Sequence, residues 1–407
     1  MRETELDAHT FRETQYLTQS KRRVLNRIHA MNRDDDDQHS ADDEPSHAKA
    51  HRVRYTLRRA SALVGRAVES IRDAEKRGLV AAPDLSPKSG RRIGYQLHQI
   101  NALRRHFGTL PYRHDDDPPA IISVQNFKGG VGKSCMTTHL AHGFAIQGYR
   151  VLVIDADPQA TTTSVFGFNP DLDIHADDTI GPYLLRDRPT LRPSIRKTPV
   201  DQVDLIPSQL RLNDAEYALA AQITRDPQIL DWLRSGVHEI AEDYDIVLID
   251  PPPALGMIPL SVLRAANALL VPVRPSMVDF ASTLNFFDML EEAIESLTRH
   301  AISPAFHWQR ILINDLDTSK SMQRNITELM EETYAAKLLK TRVNDSAEID
   351  NAAGRLCTVF ELTEPSTSKS TRRRAMLNLQ DLVDEVTQLI IGTWPGRQAA
   401  LRQRGLL

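Results

Sequence analysis

From residue 118 onward, short apolar runs alternate with stretches in which apolar residues recur at helical spacing. The runs consist mainly of valine, isoleucine and leucine. Runs of this kind, separated by helices, are typical of a parallel sheet that is covered by helices on both faces. We therefore predict a doubly wound α/β fold with a mostly parallel sheet. The predicted strands are IISV (121–124), VLVID (151–155), VDLIP (203–207), DIVLID (245–250), ALLVPV (268–273) and ILIN (311–314).

The N-terminal part of the chain has a different pattern. Residues 1–33 are predicted to form a helix with a single apolar stripe, made by Leu17, Val24, Ile28 and Met31. Such a stripe needs a cover, and two alternatives stay open: packing on the chain's own body, or dimerisation with a second copy. Residues 34–47 are acidic and poor in apolar side chains, which predicts a solvated linker. A second short linker is predicted at 114–119.

Between the two linkers, residues 48–113 have the length pattern of a winged helix-turn-helix domain. A short helix, a turn at a glycine and a second helix are followed by a candidate wing and a closing helix. The arrangement resembles the winged helix-turn-helix of MerR-like and partition proteins. The predicted elements are Leu57–Val64, the turn at Gly65, Ala67–Arg77 ended by Gly78, the wing Pro83–Tyr95 and Gln96–Phe107.

Charge is concentrated in this module. Residues 48–113 contain 15 lysines and arginines against four acidic residues, although the whole chain has a formal charge of −4. The asymmetry indicates a polyanionic partner, and DNA is the partner that the helical pattern favours. The alternative is a basic, solvated helical hairpin. The candidate DNA contacts are Arg66, Arg72, Lys76 and Arg77 around the second helix, with Arg91 and Arg92 in the wing.

Length and composition narrow the class of protein. A chain of 407 residues is too long for one ordinary core, and 41% hydrophobic with 26% charged residues is typical of globular domains. No run approaches the roughly 18 apolar residues of a membrane span, and the polar N-terminus does not resemble a signal peptide. The two cysteines, Cys135 and Cys357, provide neither a disulfide framework nor a zinc site. These features predict a cytoplasmic protein.

The first predicted strand leads into FKGGVGKS and then into a helix, which is the context that a phosphate-binding loop requires. Backbone N–H groups and the helix N-terminus would hold the phosphates of ATP, Lys133 would reach the β- and γ-phosphates, and the Ser134 hydroxyl would bind Mg²⁺. Phe127 stands where the standard pattern has its first glycine. The following lysine makes this a deviant Walker A motif. The residues predicted to bind the nucleotide are Lys128, Gly129, Gly130, Val131, Gly132, Lys133, Ser134 and Cys135.

Carboxylates follow two of the predicted strands. Asp155 and Asp157 end the strand VLVID, and Asp250 ends DIVLID in a Walker B pattern. Ligands of parallel sheets bind beyond the carboxyl ends of the strands. We therefore expect Asp250 to hold Mg²⁺ and Asp157 to orient the attacking water, with helix capping as the alternative role of Asp157. Asp245, which precedes its strand, is interpreted as a turn residue.

Together the motifs KGGVGKS, DADPQA, DPPPALG and VPVRPSMVDFAST resemble those of the ParA family of partition ATPases, over residues 118 to about 395. The N-terminal part and the sequence NFKGG are similar to the larger plasmid-type members, including the RepA proteins of repABC replicons. The resemblance implies that Lys128 reaches the partner's phosphates across an ATP-bound homodimer and that Asp157 assists hydrolysis. Pro251 departs from the hydroxyl or thiol residue of many relatives, which puts the timing of hydrolysis in doubt.

Two other members of this group of ATPases fit less well. An iron protein needs two cysteines per subunit at the dimer interface, whereas Cys135 directly follows the loop and Cys357 has another context. MinD-like proteins end in an amphipathic membrane helix, but residues 376–391 carry acidic residues and are predicted to pack on the core. The best local candidate for non-specific DNA binding is KSTRRR (369–374), with Arg372, Arg373 and Arg374; the alternative is a solvated turn.

The sequence therefore predicts a nucleoid-associated, cytoplasmic DNA-partition ATPase without membrane binding. The resemblance implies that a ParB-like, centromere-bound partner stimulates hydrolysis and that the protein also represses its own operon. The alternative is a transcriptional regulator that uses the ATP site only as a switch. A metabolic P-loop enzyme explains none of the basic module.

Overall fold

Seven strands form one sheet in the order β3-β4-β2-β5-β1-β6-β7 in the computed structural model. All neighbours are parallel except β3, which pairs antiparallel with β4 at one edge. The structure describes residues 53–86, 89–299, 305–362, 364–403 and 405; the predicted N-terminal helix and acidic linker lie outside them. The strands are β1 Ala120–Val124, β2 Val151–Asp155, β3 Arg196–Lys197, β4 Val203–Ile206, β5 Ile246–Asp250, β6 Ala268–Val273 and β7 Trp308–Ile313.

Helices cover both faces of this sheet, as the apolar strands require. Successive strand residues point to opposite faces, so Ile122 belongs to one buried cluster and Ile121 to another. The helices are α1 Leu57–Val64, α2 Val68–Lys76, α3 Leu97–Phe107, α4 Lys133–Gln147, α5 Thr161–Val165, α6 Gly181–Leu184, α7 Leu212–Gln222, α8 Asp231–Ala241, α9 Met257–Ala265, α10 Met277–Arg299, α11 Ser321–Tyr334, α12 Ala347–Gly354, α13 Lys369–Gly392 and α14 Pro395–Gln403. Helices α4 and α13 cover one face, and α7, α8 and α9 cover the other.

The mostly parallel α/β sheet is confirmed, with two differences at its edges. The last strand begins at Trp308 rather than at the predicted residue 311, because the polar residues Gln309 and Arg310 interrupt its apolar pattern. The two-residue strand Arg196–Lys197 was not predicted. Both of its residues are basic, and an edge strand has only one neighbour to satisfy, so its sequence carries no strand signal.

Three helices and a hairpin make up the described residues before the sheet, from residue 53 to Phe107. Helix α1 is capped at its N-terminus by Thr56, whose hydroxyl accepts from Arg59 N, and at its C-terminus by Gly65 with φ +68°. A bridge between Leu85 and Arg92 forms the antiparallel hairpin where the wing was predicted. These helices lie within about one residue of their predicted bounds; the assignment of the region as a DNA-binding domain stays a prediction. The small core consists of Ala60, Val64, Ile71, Tyr95, Ile100 and Leu103.

Arg104 of α3 joins this region to the sheet domain. Its side chain is 2% exposed, and its guanidinium donates to the Leu63 carbonyl at 3.1 Å and to the Ile146 carbonyl at 2.8 Å. Ile146 lies in the last turn of α4. Burial lowers the pKa of Arg104 to about 10, which leaves it charged at neutral pH. Because a buried cation needs such partners, the two parts of the chain are held in one relative position.

The prediction that residues 114–119 form a solvated linker is wrong for part of the segment. Asp117 is buried, and its carboxylate accepts from Gly396 N and Arg397 N, both at 2.8 Å. The Pro118 carbonyl accepts from the Trp394 indole at 2.7 Å. The acidic run therefore begins as exposed chain and ends as the cap of α14. Its composition alone does not reveal the C-terminal helix that it contacts.

Helix α13 begins at Lys369, with Ser368 as its N-cap. KSTRRR is therefore the first two turns of a helix, and its interpretation as a turn before the helix is wrong. The same helix buries Leu379, Leu382 and Val386 against the sheet domain, which confirms that residues 376–391 pack on the core. Among the described residues, no helix is long and apolar enough to cross a bilayer.

Candidate nucleotide-binding site

The loop between β1 and α4 lies at the carboxyl edge of the sheet. Gly132 in this loop has φ +91°, a conformation that residues with a Cβ rarely adopt. A Cβ here would also overlap the side-chain amide nitrogen of Asn314, directly after β7. That nitrogen donates to the Val131 carbonyl at 2.8 Å. Both the turn and the close approach of Asn314 therefore require glycine at this position.

Lys133 is the first residue of α4, and its side chain is only 6% exposed. Its ammonium donates to the Lys128 carbonyl at 3.4 Å. Burial lowers the pKa of Lys133, and the carboxylates of Asp250 and Asp157 oppose this effect. The structure thus brings together three of the predicted site residues. A buried ammonium beside a helix N-terminus is a strong attractor for the phosphates of a nucleotide.

Asn126 and Phe127 attach the start of the loop to β6 and α10. The Asn126 amide nitrogen donates to the Pro272 carbonyl at 3.0 Å and lies 3.2 Å from the Thr283 hydroxyl. Phe127 packs edge-on against Phe286, with ring centroids 4.7 Å apart. The residue that departs from the standard glycine pattern is therefore an anchor. Pro272 and Thr283 belong to the motif VPVRPSMVDFAST (271–283). This motif therefore supplies part of the surface against which the phosphate-binding loop packs.

Lys128 has different surroundings from Lys133. Its side chain is 36% exposed, and its ammonium lies 3.9 Å from the Asp279 carboxylate near the start of α10. Its backbone N–H donates to the Asn126 side chain at 3.0 Å. Lys133 is therefore buried inside the loop, while Lys128 lies at the surface beside α10. An exposed ion pair at this distance contributes little stability, so Lys128 can exchange Asp279 for another anion at low cost.

Asp155 has a structural role. It is fully buried, and its carboxylate accepts from Thr163 N at 2.8 Å, from the Thr163 hydroxyl at 2.7 Å and from Asp157 N at 3.1 Å. The Thr163 hydroxyl in turn accepts from Ser208 N at 2.9 Å. Burial and the neighbouring Asp250 raise the pKa of Asp155 well above its usual value. The carboxylate fixes the segment that carries Asp157.

Asp157 lies in the turn after β2 and is 8% exposed. One carboxylate oxygen accepts from Gln159 N at 2.9 Å, and its carbonyl accepts from Ala160 N at 2.9 Å. The side-chain contact is an Asx turn within the loop. It is not a helix cap, because the N-cap of α5 is Ala160 and no described side chain caps that helix. The turn uses one carboxylate oxygen only, so it leaves the other available to a water molecule, and it is compatible with a role in hydrolysis.

Asp250 is the candidate Mg²⁺ ligand. It pairs in register with Asp155 on the adjacent strand, and its Oδ2 accepts from the Thr162 hydroxyl at 2.7 Å. Its Oδ1 is buried and has no hydrogen-bond partner among the described residues. A buried carboxylate oxygen without a partner is costly, and a bound cation would satisfy it. The donor set of Asp250 and the Ser134 hydroxyl consists of oxygen atoms, which is the chemistry that Mg²⁺ prefers.

The titration of Asp250 predicts how nucleotide binding depends on pH. Burial raises the pKa of Asp250 to about 6, against the lowering effects of Ser134, Thr162 and Lys133. A metal ligand must be deprotonated. We therefore expect the Mg²⁺-dependent part of ATP affinity to fall as the pH drops through about 6, by about fivefold between pH 6 and pH 5. Titration of Mg²⁺ into protein and ATP at a series of pH values checks this.

Asp250→Asn provides the control, because an amide does not titrate in this range. The variant should bind Mg²⁺ weakly with a nearly flat pH profile. The effect of pH on stability runs opposite to its effect on Mg²⁺ binding. Since the pKa of Asp250 in the folded protein exceeds the usual 3.8, ionisation of this carboxyl group should lower the free energy of unfolding of the nucleotide-free protein as the pH rises towards about 6. A wild-type Mg²⁺ effect that is constant across this range would contradict the assignment.

Cys135 follows Ser134, and its thiol lies inside the protein. The sulfur is 3.5 Å from Nδ1 of His139, and burial raises the pKa of Cys135 to about 12. Such a thiol is unreactive. Among the described residues, no group of histidine, cysteine and acidic side chains could hold a metal ion by itself.

The residues predicted to contact DNA differ in their surroundings. Arg72 and Lys76 are exposed on α2; Arg77 pairs with Asp73 at 3.5 Å, and Arg66 donates to the Phe107 carbonyl at 3.3 Å. On the hairpin, Arg91 is exposed. The Arg92 guanidinium donates to Glu75 at 2.6 Å, and the same carboxylate accepts from the Tyr95 hydroxyl at 2.6 Å. Arg92 therefore fastens the hairpin to α2.

The three arginines at the start of α13 divide between two sites. Arg372 and Arg373 line a groove beside residues 53–59, and Arg372 also donates to the Leu362 carbonyl. Arg374 lines a separate pocket that also contains Asp317.

The sequence did not single out several residues that shape the site. Asn126, Asn314, Thr162 and Asp279 make the contacts described above. Asn126 lies two residues after the predicted strand 121–124 and Asn314 ends the predicted strand 311–314, which was the available signal. Asp279 carries no such signal, because its proximity to Lys128 depends on the packing of α10.

Known proteins are similar to this chain over most of its length. A family model described as an AAA domain matches residues 119–304. Protein SopA of Escherichia coli (strain K12) is 33% identical over 360 residues, which cover 86% of this chain and 91% of SopA. A putative replication protein A of Rhizobium rhizogenes is 30% identical over 324 residues, which cover 76% of this chain and 80% of that protein.

Among solved structures, one described as a partition protein has a TM-score of 0.66 at 23% identity and covers 84% of this chain and 94% of that chain. An ATP complex of an McdA variant from Cyanothece has a TM-score of 0.52 at 18% identity and covers 67% of this chain and 97% of that chain. At these identities the likeness concerns the fold. Fold and loop together define a P-loop protein of the ATPase class. The chain belongs to the ParA family of partition ATPases, as its motifs predicted.

Proposed function

We propose that this protein is an ATP-dependent DNA-partition ATPase that acts as a homodimer. ATP closes the dimer, the dimer binds DNA without sequence preference, and a ParB-like partner stimulates hydrolysis and releases it. Repeated cycles position a plasmid or chromosome on the nucleoid. Membership of the ParA family supports a role in partition. The proposal adds binding to DNA, stimulation by a ParB-like partner and dimerisation on ATP. Autorepression through the winged region accompanies this role.

The observation that carries the proposal is the contrast between the two lysines of the loop. Lys133 is buried within the loop, where it would hold the phosphates of its own subunit's nucleotide. Lys128 is partly exposed, with only a weak ion pair to Asp279. A second lysine so close to Lys133 has a purpose if it contacts the nucleotide of a second subunit. We infer that ATP is the ligand that joins two copies.

Within the site, each residue has a defined part. Lys133 binds and orients the phosphates, with the N–H groups of 129–134 and the α4 N-terminus. Ser134 and Asp250 hold Mg²⁺, which neutralises phosphate charge when bound. Asp157 orients the attacking water and accepts its proton. Pro251 is buried directly after Asp250. Its ring restricts the backbone of the loop after β5, and it lacks the hydroxyl or thiol that many relatives carry at this position.

The decisive experiment compares Lys128→Ala with wild type in three assays: ATP binding, ATP-dependent dimerisation and ATP-dependent binding of random-sequence DNA. We expect Lys128→Ala to bind ATP within a few-fold of wild type but to remain monomeric and to lose the ATP-dependent part of DNA binding. The reason is that its ammonium serves the neighbouring subunit. Turnover should be measured with DNA alone, partner alone and both.

A wild-type protein with intact fold and ATP binding but no ATP-dependent DNA binding would refute the partition function. The second candidate is a transcriptional regulator, which the helices and hairpin of residues 53–107 favour. Protection of one operator in the ADP state, with no effect of a ParB-like protein on turnover, would support that function instead.

A further inference from the structure

A groove of about 450 Å³ lies between the N-terminal helices and α13. One wall comes from residues 53–59 and the other from the start of α13, more than 300 residues later in the chain. Its apolar lining residues include Tyr55, Phe360 and Met376. Its charged lining residues are Arg54, Arg59, Lys369, Arg372 and Arg373, and none of the lining residues is acidic.

Three of these cations have no carboxylate partner. Arg54 pairs with Asp84 at 3.3 Å, and Arg372 is engaged by a backbone carbonyl. Arg59, Lys369 and Arg373 are exposed, and within the described part of the chain none of them lies within 4.0 Å of an acidic side chain. Many other arginines of this protein do form such pairs, for example Arg92, Arg150 and Arg192.

Like charges gathered in a groove repel one another and create a local positive potential. The whole chain has a net charge of −4, so a groove lined only by cations is a local exception. Such a groove favours the binding of an anion. A duplex presents one phosphate per about 3.4 Å of helix axis on each strand, so it can engage several cations at once, which a single small anion does less well.

The two walls are held in fixed relation. Arg104 is bound to carbonyls of α1 and α4, as described above. Asn101 of α3 adds a hydrogen bond to Asp201 at 2.9 Å. Since α13 packs on α4 in the same buried cluster, these contacts fix the helices of both walls before a ligand binds, which lowers the cost of binding.

We infer that this groove binds the phosphate backbone of duplex DNA through Arg59 on one wall and Lys369 and Arg373 on the other. The inference rests on the proposed DNA-binding function and adds that the contact surface is composite. It does not belong to the ATPase domain alone, because Arg59 lies in α1 and Lys369 and Arg373 lie in α13. The same duplex therefore contacts both parts of the chain.

The test uses the full chain with Mg²⁺ and ATP and a fluorescent random-sequence duplex, titrated at several salt concentrations. Three variants are compared with wild type: Arg59→Gln, the pair Lys369→Gln with Arg373→Gln, and all three together. Each lost phosphate contact should reduce the slope of log affinity against log salt by roughly 0.9. Both wall variants should show the effect, and the triple variant should show their approximate sum.

Arg225→Gln is the matched control. Arg225 is exposed after α7, on the opposite face of the sheet from α13, and its loss should leave the slope unchanged. Circular dichroism and ATP affinity should match wild type in all variants, since none of these residues touches the nucleotide loop.

The outcomes separate the two proposals. If wild type fails to bind DNA, the proposed function and this inference both fall. If wild type binds but Arg59→Gln has no effect, the composite surface is wrong while the function stands. If all variants bind DNA normally but lose affinity for polyglutamate, the groove takes an acidic peptide, and the inference is overturned.

Discussion

Lys133→Ala is expected to weaken ATP binding by about 100-fold or more. The ammonium is buried at the N-terminus of α4, where it would form charge-assisted hydrogen bonds with the phosphates. Removing one partner of a buried ion pair costs about 3 kcal/mol or more, which corresponds to roughly two decades of affinity. Calorimetric titration with ATP and Mg²⁺ measures the loss directly.

Lys128→Ala is the matched control for this variant. Both changes remove one lysine from the same loop, but Lys128 is partly exposed and faces Asp279. Its monomeric ATP affinity should therefore stay near wild type. Equal losses of affinity in the two variants would contradict the division of roles between the two lysines. Thermal unfolding without nucleotide should show that Lys133→Ala is folded. The variant no longer buries an ammonium charge, and this gain offsets the packing that is lost with the side chain.

The strands and the loop were predictable because their signals are local. Apolar runs such as 121–124 and 245–250 need only neighbouring residues to identify them, and the phosphate loop is recognised by residues adjacent in sequence. The edge strand Arg196–Lys197 carries no such pattern. The start of β7 was missed because Gln309 and Arg310 are polar.

The parts of the site that could not be predicted depend on contacts between distant segments. Asp155 and Asp157 both lie at the end of a strand pattern in the sequence. Only the fold shows that the Asp155 carboxylate accepts hydrogen bonds from the backbone and the hydroxyl of Thr163. Likewise, the acidic segment before β1 was interpreted as a linker because Trp394 and the start of α14 lie almost 280 residues away. Local composition contains no information about such partners.

Charge patches illustrate the same limit. Counting basic residues in 48–113 correctly marks a cationic module, but it treats paired and unpaired arginines alike. Arg92 is bound to Glu75, whereas Arg59, which was not singled out, has no acidic partner among the described residues. The start of α13 looked like one basic cluster, but Arg374 lines a different pocket from Arg372 and Arg373. The proposed DNA contacts therefore depend on which charges are unpaired, and not on the total number of basic residues.

Asp157→Ala is expected to lower the turnover number by about 100-fold while ATP affinity changes only a few-fold. A group that orients water or accepts its proton contributes about 10²–10⁴ to a rate, and Asp157 lies within electrostatic reach of Lys133 and Asp250. Phosphate binding depends on Lys133 and the loop, which the change leaves in place. Single-turnover hydrolysis and equilibrium ATP binding, measured on the same preparation, separate the two effects.

Asp157→Asn distinguishes hydrolysis from a purely structural role in the turn after β2. Asparagine keeps the side-chain oxygen that accepts from Gln159 N and removes the charge, so a purely structural role predicts normal turnover in this variant. A role in hydrolysis predicts that Asp157→Asn is nearly as slow as Asp157→Ala. Asp155→Asn serves as the contrasting change: its three hydrogen bonds hold the turn, so it should lower the free energy of unfolding by about 1–3 kcal/mol. Wild-type turnover in Asp157→Asn would assign hydrolysis to another residue.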